Sequence, residues 1–104
     1  MNNTDNSRVT PLEEGVMFVT RMMEADSGKA LTEHQASIES VLIVIDGACS
    51  VAFEDDTREL EQGQSLIIPA NRWHQITARP DFRAIHVMPR EIRFEFRKTT
   101  TRQA

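Results

Sequence analysis

The stretch Gly63-Gln-Ser-Leu-Ile-Ile-Pro69-Ala-Asn-Arg-Trp-His74 predicts a strand, a corner and the start of a second strand. The apolar run after Gly63 has the composition of a buried strand, and Pro69 ends it because proline has no N–H to donate to a neighbouring strand. A tight turn follows, and His74 comes directly after it. We therefore expect an imidazole immediately beyond the corner, with the rest of the chain forming walls around it.

The segments on either side have the alternation and turn signals of short antiparallel strands. The run 41–45 could also be read as buried helix, but its β-branched residues and the glycine that follows favour a strand. Strands are predicted at 16–24, 41–45, 49–53, 58–60, 74–78, 82–88 and 92–97, and turns at 26–29, 46–47, 54–57 and 79–81. No segment has helical periodicity, and turns about every ten residues are typical of an antiparallel sandwich or barrel. We therefore predict an all-β fold.

Composition limits the class of protein. A chain of 104 residues forms one domain, and we expect its folded part at about 12–97, with 1–10 and 98–104 flexible. The net charge of −4 argues against a nucleic-acid partner. A single cysteine, Cys49, excludes an internal disulfide and fits a reducing compartment. The first residues lack the apolar core of a signal peptide, and no apolar run is long enough to cross a bilayer, so we expect a cytoplasmic protein with no membrane partner.

Histidines recur at fixed distances from glycines. Gly28 is followed by five residues and then by His34; Ala36 comes two positions later, Ser40 after three more residues, and Gly47 after a further six. The stretch quoted above has its own spacing of glycine, five residues, proline, and then histidine at the fifth position after the proline.

This pair of motifs resembles the cupin superfamily, and more narrowly its small single-domain bacterial members of the cupin 2 type. The family's first motif is glycine, five residues, His-x-His, three or four residues, glutamate, six residues, glycine. In this chain Ala36 stands at the second histidine and Ser40 at the glutamate, while Asn71 replaces a glycine of the second motif. Asparagine tolerates a positive φ better than most residues. The resemblance covers 16–88 and implies a double-stranded β-helix, or jelly-roll, barrel of two antiparallel sheets.

The resemblance also implies a divalent metal (Fe, Mn, Ni or Zn), which many cupins bind through two histidines and a glutamate of the first motif and a histidine of the second. This chain keeps only His34 and His74, and neither Ala36 nor Ser40 is a strong donor. Glu39 lies next to the missing glutamate, but strand alternation sends it to the opposite face. We therefore expect a reduced metal site.

His86 is a third candidate. On the predicted strand 82–88, Arg83 shares one face with Ile85 and Val87, whereas His86 lies on the other. An arginine prefers solvent, which would turn His86 toward the barrel interior. The three histidines would then share one cavity as candidate metal or ligand contacts. The alternative for His86 is a hydrogen-bonded residue of the core or rim.

Trp73 could stack on a ligand at the mouth of the barrel or simply pack at the corner. The candidate ligand-binding residues are therefore His34, His74, His86 and Trp73, the first three are also the candidate metal ligands, and no catalytic residue is assigned.

Apolar residues also fall on the predicted outer face. If Ser40 points inward, Val41, Ile43 and Ile45 point outward, and either the N-terminal strand or a second subunit should cover them. The stripe of Ile92, Phe94 and Phe96 is similar. We therefore predict a homodimer.

Three functions are compatible with the sequence. The first is binding of a small polar or carboxylated metabolite in a barrel with a reduced metal site. The second is a metal-dependent enzyme, a dioxygenase or isomerase, that uses His34, His74 and His86. The third is a sensor or regulatory module, which would act through a partner because the chain has no helix-turn-helix.

Overall fold

The computed structural model describes residues 7–97, and this part of the chain is built entirely of strands and their connections. It contains no helix long and apolar enough to cross a membrane. The strands are β1 (Ser7–Glu14), β2 (Phe18–Ala25), β3 (His34–Ala36), β4 (Ser40–Phe53), β5 (Thr57–Glu61), β6 (Ser65–Ile68), β7 (His74–Pro89) and β8 (Phe94–Phe96).

All strand pairs are antiparallel, and two long strands join the two halves of a curled sheet. In one half, the first part of β4 lies between β6 and the second part of β7. The second part of β7 also pairs with β2, and β1 forms the edge beside β2. The second part of β4 pairs with β5 and with the first part of β7, and β3 and β8 continue that half. The predicted all-β barrel of antiparallel strands is confirmed.

The predicted turns at 46–47 and 79–81 are wrong, because β4 and β7 run through both segments as continuous strands. Their pairing shifts register between Val44 and Asp46 and again between Gly47 and Cys49, so β-bulges bend the strands instead of ending them. Gly47 has a φ of 74°, and a Cβ at this position would collide with the backbone carbonyl of Asp81. The glycine therefore permits close contact between two bent strands.

The N-terminal part also differs from the prediction. Residues 7–10, expected to be flexible, form the first half of β1 and pair with β2. Backbone pairing, which a polar sequence can provide as well as an apolar one, explains this strand. Residues 1–6 and 98–104, also expected to be flexible, lie outside the described residues.

The barrel interior is the main apolar core. Strand alternation buries Leu42 and Val44 of β4, as predicted, and the same rule buries Phe82, Ala84 and Met88 of β7. Cys49 lies in this core at 1% exposure, and burial, with a smaller contribution from Glu59, raises the pKa of its thiol to about 11. The cysteine is therefore a packing residue, as its position in the sequence suggested.

Candidate functional site

Three histidines from separate parts of the chain lie inside the barrel. His34 begins β3 and His74 begins β7, and the two are direct partners across the strands. Their ring centroids are 4.5 Å apart in an edge-to-face arrangement. His86 lies further along β7, and all three are buried, at 6%, 1% and 4% exposure for His34, His74 and His86. The prediction that His86 points inward and Arg83 outward is confirmed, since Arg83 is exposed.

Backbone carbonyls fix the orientation of two of the rings. His34 Nδ1 donates a hydrogen bond to the Thr32 carbonyl at 2.8 Å, and His74 Nδ1 donates to the Arg72 carbonyl at 2.9 Å. A carbonyl oxygen only accepts, so the proton of each bond lies on Nδ1. In both rings, Nε2 is therefore the nitrogen that can bond to another partner.

Ser40 holds the third ring. His86 Nε2 lies 2.7 Å from Ser40 Oγ, and both side chains are buried. Burial, with smaller contributions from His34, His74 and Arg21, lowers the pKa of His86 to about 4. Burial is also the main reason that the pKa of His74 is lowered. Both His74 and His86 are therefore neutral at pH 7.

His34 and His86 line a partly open cavity of about 200 Å³. Its mouth includes Val9 and Phe96, which are 44% and 58% exposed. The remaining wall residues come from β1, β2, the β2–β3 connection and β8, and half of them are apolar; they are Ser7, Arg21, Met23, Leu31, Thr32 and Phe94. His74 is the cross-strand partner of His34 and is not part of this lining.

Arg21 is the cavity residue that the sequence analysis missed. It lies on the inner face of β2, opposite His86 in the register of β2 and β7. Strand alternation puts Arg21 on the same face of β2 as Val19, Met23 and Ala25. The sequence alone could not show that this face points inward, since β2 also carries apolar residues on its other face. Only the pairing with β7 establishes which face points inward. Phe94 was noted as part of an apolar stripe, and it instead forms a cavity wall.

Two other residues lie away from the cavity. The Arg97 guanidinium carbon lies 4.1 Å from the centroid of the Trp73 ring, and Trp73 is not part of the lining. This arrangement favours the corner-packing alternative over ligand stacking. Glu39 is exposed, as strand alternation predicted.

The donor set does not match a three-ligand metal centre. No three or more His, Cys, Asp or Glu side chains within residues 7–97 are grouped so that they could hold a metal ion. Ala36 has no donor atom, and the Ser40 hydroxyl is occupied with His86. We therefore derive no chemistry through a metal, and the site of His34, His74 and His86 stays a prediction.

The fold and this cavity define a small jelly-roll barrel with a histidine-lined interior. The family model described as "Cupin domain" matches residues 18–88, which is more than half of the chain. The protein therefore belongs to the cupin family.

Solved structures give the same fold at low sequence identity. A cupin superfamily protein from Desulfitobacterium hafniense is 16% identical with a TM-score of 0.74, and the match covers 86% of this chain and 83% of that one. A cupin-2 domain protein from Shewanella frigidimarina is 22% identical with a TM-score of 0.69, covering 86% and 85%. Salicylate 1,2-dioxygenase from Pseudaminobacter salicylatoxidans is 13% identical with a TM-score of 0.79, covering 88% of this chain but 30% of the dioxygenase. No curated protein matches the sequence.

Proposed function

We propose that this cupin binds a small polar metabolite in the cavity, with His34 and His86 as its hydrogen-bonding groups. One observation carries the proposal: two buried histidines of fixed orientation line a partly open cavity together with five apolar side chains. A few polar groups on an apolar wall are typical of small-molecule sites, because the wall supplies affinity and the polar groups supply orientation.

The size of the cavity limits the ligand. Pockets for drug-sized molecules have volumes of about 300–1,000 Å³, and this cavity has about 200 Å³. The ligand is therefore a metabolite of modest size, with part of its surface left at the mouth between Val9 and Phe96.

The histidines supply complementary hydrogen-bonding chemistry. With Nδ1 of His34 engaged by Thr32, Nε2 is the atom available to a ligand. With Nε2 of His86 engaged by Ser40, Nδ1 is the atom available. A hydroxyl group suits these atoms because it both donates and accepts.

A metal-dependent enzyme is the second candidate, and one observation favours it. A backbone carbonyl orients His34 and another orients His74 through Nδ1, an arrangement that commonly orients metal-binding histidines. The dioxygenase among the structural relatives supports this candidate only at the level of the fold.

Metal analysis of tag-free protein, combined with ligand titration, tests the proposal. We expect much less than one metal ion per chain by mass spectrometry. We also expect a panel of small hydroxylated metabolites, observed by NMR, to shift the ring signals of His34 and His86. The variant His34→Ala should bind the same compounds more weakly. Exposed Thr57 provides a control, since Thr57→Ala should bind as the wild type does.

Two outcomes would contradict the proposal. Stoichiometric metal that is lost in His74→Ala would favour the metal-dependent enzyme. A panel that leaves both ring signals unchanged would remove the support for a metabolite site.

A further inference from the structure

Arg21 places a positive charge on the cavity wall. It is the cross-strand neighbour of His86 on the inner face of the sheet, and its guanidinium carbon lies 5.9 Å from the centroid of the Phe94 ring, which also lines the cavity. Its charge is among the causes that lower the pKa of His86, so it acts on the groups inside the cavity.

No carboxylate within residues 7–97 forms an ion pair with Arg21. Over the same range, the cavity lining contains no aspartate or glutamate. Arg21 also borders a separate groove between β1 and β2 that contains Glu13 and Glu14, but Glu14 pairs with Arg90 at 3.4 Å. Among the described residues, the cavity therefore contains a cation without an acidic partner.

A half-buried guanidinium without a carboxylate beside it favours an anionic ligand, because the desolvated charge then gains charge-assisted hydrogen bonds. A carboxylate matches the planar fork of arginine with two parallel bonds. The other lining residues include five apolar or aromatic side chains and four polar ones; the apolar set is Val9, Met23, Leu31, Phe94 and Phe96, and the polar set is Ser7, Thr32, His34 and His86. Such a wall suits a flat, apolar body attached to the carboxylate.

We propose that the cavity selects small carboxylates with a flat apolar or aromatic body, and that Arg21 is the residue that binds the carboxylate group. A hydroxyl group on the same body would meet His34 or His86. This inference rests on the proposed function of the cavity as a metabolite site, and it adds the charge and shape of the ligand.

Matched ligands separate the two proposals. The probes are 2-hydroxybenzoate and 2-hydroxybenzamide, which differ mainly in charge, and inorganic phosphate, which has charge without an apolar body. Calorimetry gives the affinities, and NMR of the His34 and His86 rings verifies the site. We expect 2-hydroxybenzoate to bind about tenfold or more tightly than 2-hydroxybenzamide, and phosphate to bind more weakly than 2-hydroxybenzoate.

Two arginine variants show which charge is responsible. Arg21→Gln should remove the preference for 2-hydroxybenzoate while it leaves binding of 2-hydroxybenzamide nearly unchanged, and Arg21→Lys should keep part of the preference. Arg83→Gln is the control, because it removes the same charge from the opposite face of the adjoining strand. Circular dichroism verifies that each variant is folded.

Equal affinity for 2-hydroxybenzoate and 2-hydroxybenzamide would overturn the role of Arg21 and leave the metabolite site intact. A preference that survives in Arg21→Gln would do the same. Phosphate binding as tightly as 2-hydroxybenzoate would overturn the assignment of an apolar ligand body. Failure of both aromatic probes to bind would overturn this inference, whereas the proposed function would still be decided by the metabolite panel.

Discussion

Ser40 shows how one residue changes the chemistry of the site. The family resemblance places a metal-binding glutamate at this position, and the serine here bonds to His86 Nε2 instead. A buried hydroxyl can satisfy a neutral imidazole without adding charge, so the desolvated ring remains unprotonated at pH 7. The substitution therefore fits a neutral hydrogen-bonding site better than a metal centre.

The lowered pKa of His86 predicts a loss of stability in acid. The ring has a pKa of about 4 when folded against an ordinary value of 6.5, so the unfolded chain binds a proton first as the pH falls. The stabilisation is complete above pH 6.5 and is lost as the pH falls to about 4. This stabilisation by His86 amounts to about 3 kcal/mol. The pKa of His74 is also lowered, so His74 likewise stabilises the fold at neutral pH and loses that contribution in acid.

Urea unfolding between pH 7 and pH 4 measures this effect. His86→Gln keeps a hydrogen-bonding group beside Ser40 but does not titrate. We expect its free energy of unfolding to fall less with acid than that of the wild type, by roughly 3 kcal/mol over this range. Parallel pH curves for the two proteins would disprove the assignment.

Among the elements, the bent strands β4 and β7 determine where the site lies. Each runs through both halves of the curled sheet, so one strand, β7, carries His74 in one half and His86 in the other. Had the chain turned at 46–47 and 79–81, these residues would belong to separate hairpins. The bends in β4 and β7 therefore keep both histidines inside one barrel.

Substitution of Gly47 tests this bend. Gly47→Ala must adopt a positive φ and must also displace the Asp81 carbonyl, so we expect it to cost about 3 kcal/mol or more. Gly63 is the matched control, since it has a φ of 87° and no atom lies within 4 Å of the point that a Cβ would occupy. Gly63→Ala should cost only the backbone strain, roughly 1 to 2 kcal/mol. Equal losses in urea unfolding would show that the contact with Asp81 is unimportant.

At the scale of the whole molecule, the outer face of the sheet is apolar across four strands. Cross-strand pairing places side chains of β6, β4, β7 and β2 in two rows on this face, and six of the eight residues are apolar. The first row is Ile67, Val41, Val87 and Thr20, and the second is Ser65, Ile43, Ile85 and Met22. Ile67 is 52% exposed. Of the two covers expected, the N-terminal strand does not lie over this face, because β2, which contains most of the predicted first strand 16–24, pairs with β7 within the sheet and β1 lies beside β2 at its edge.

We therefore still predict that a second copy of the chain covers this outer face, through a two-fold contact in which each subunit contributes the same face. We expect light scattering at micromolar concentration to give the mass of a dimer. Ile43→Asp places a charge in the centre of the face and should produce a folded monomer, because a charge there would lose its water on association. Thr57→Asp, which adds the same charge at an exposed site on β5, should remain dimeric. A monomeric wild type would refute the prediction.

The sequence by itself determined the fold class, the corner before His74 and the inward faces of β4 and of the second part of β7. These features depend on local rules, since alternation assigns the faces of a strand and proline ends one. It also suggested an inward His86, because Arg83 on the same strand marks the solvent side, but it left a core or rim position open as the alternative.

Only the tertiary structure decided that Arg21 lines the cavity, that β4 and β7 bend without ending, and that Ser40 holds His86. Each depends on contacts between residues far apart in the chain. Arg21 lies on a strand with apolar residues on both faces, so its direction follows from the register with β7. The backbone of Asp81 lies against Gly47 so closely that a Cβ there would collide with it, and such an approach leaves no pattern in the neighbouring residues. Alternation assigns the faces of a single strand, whereas five strands contribute side chains to the cavity, so only their packing shows which side chains line it.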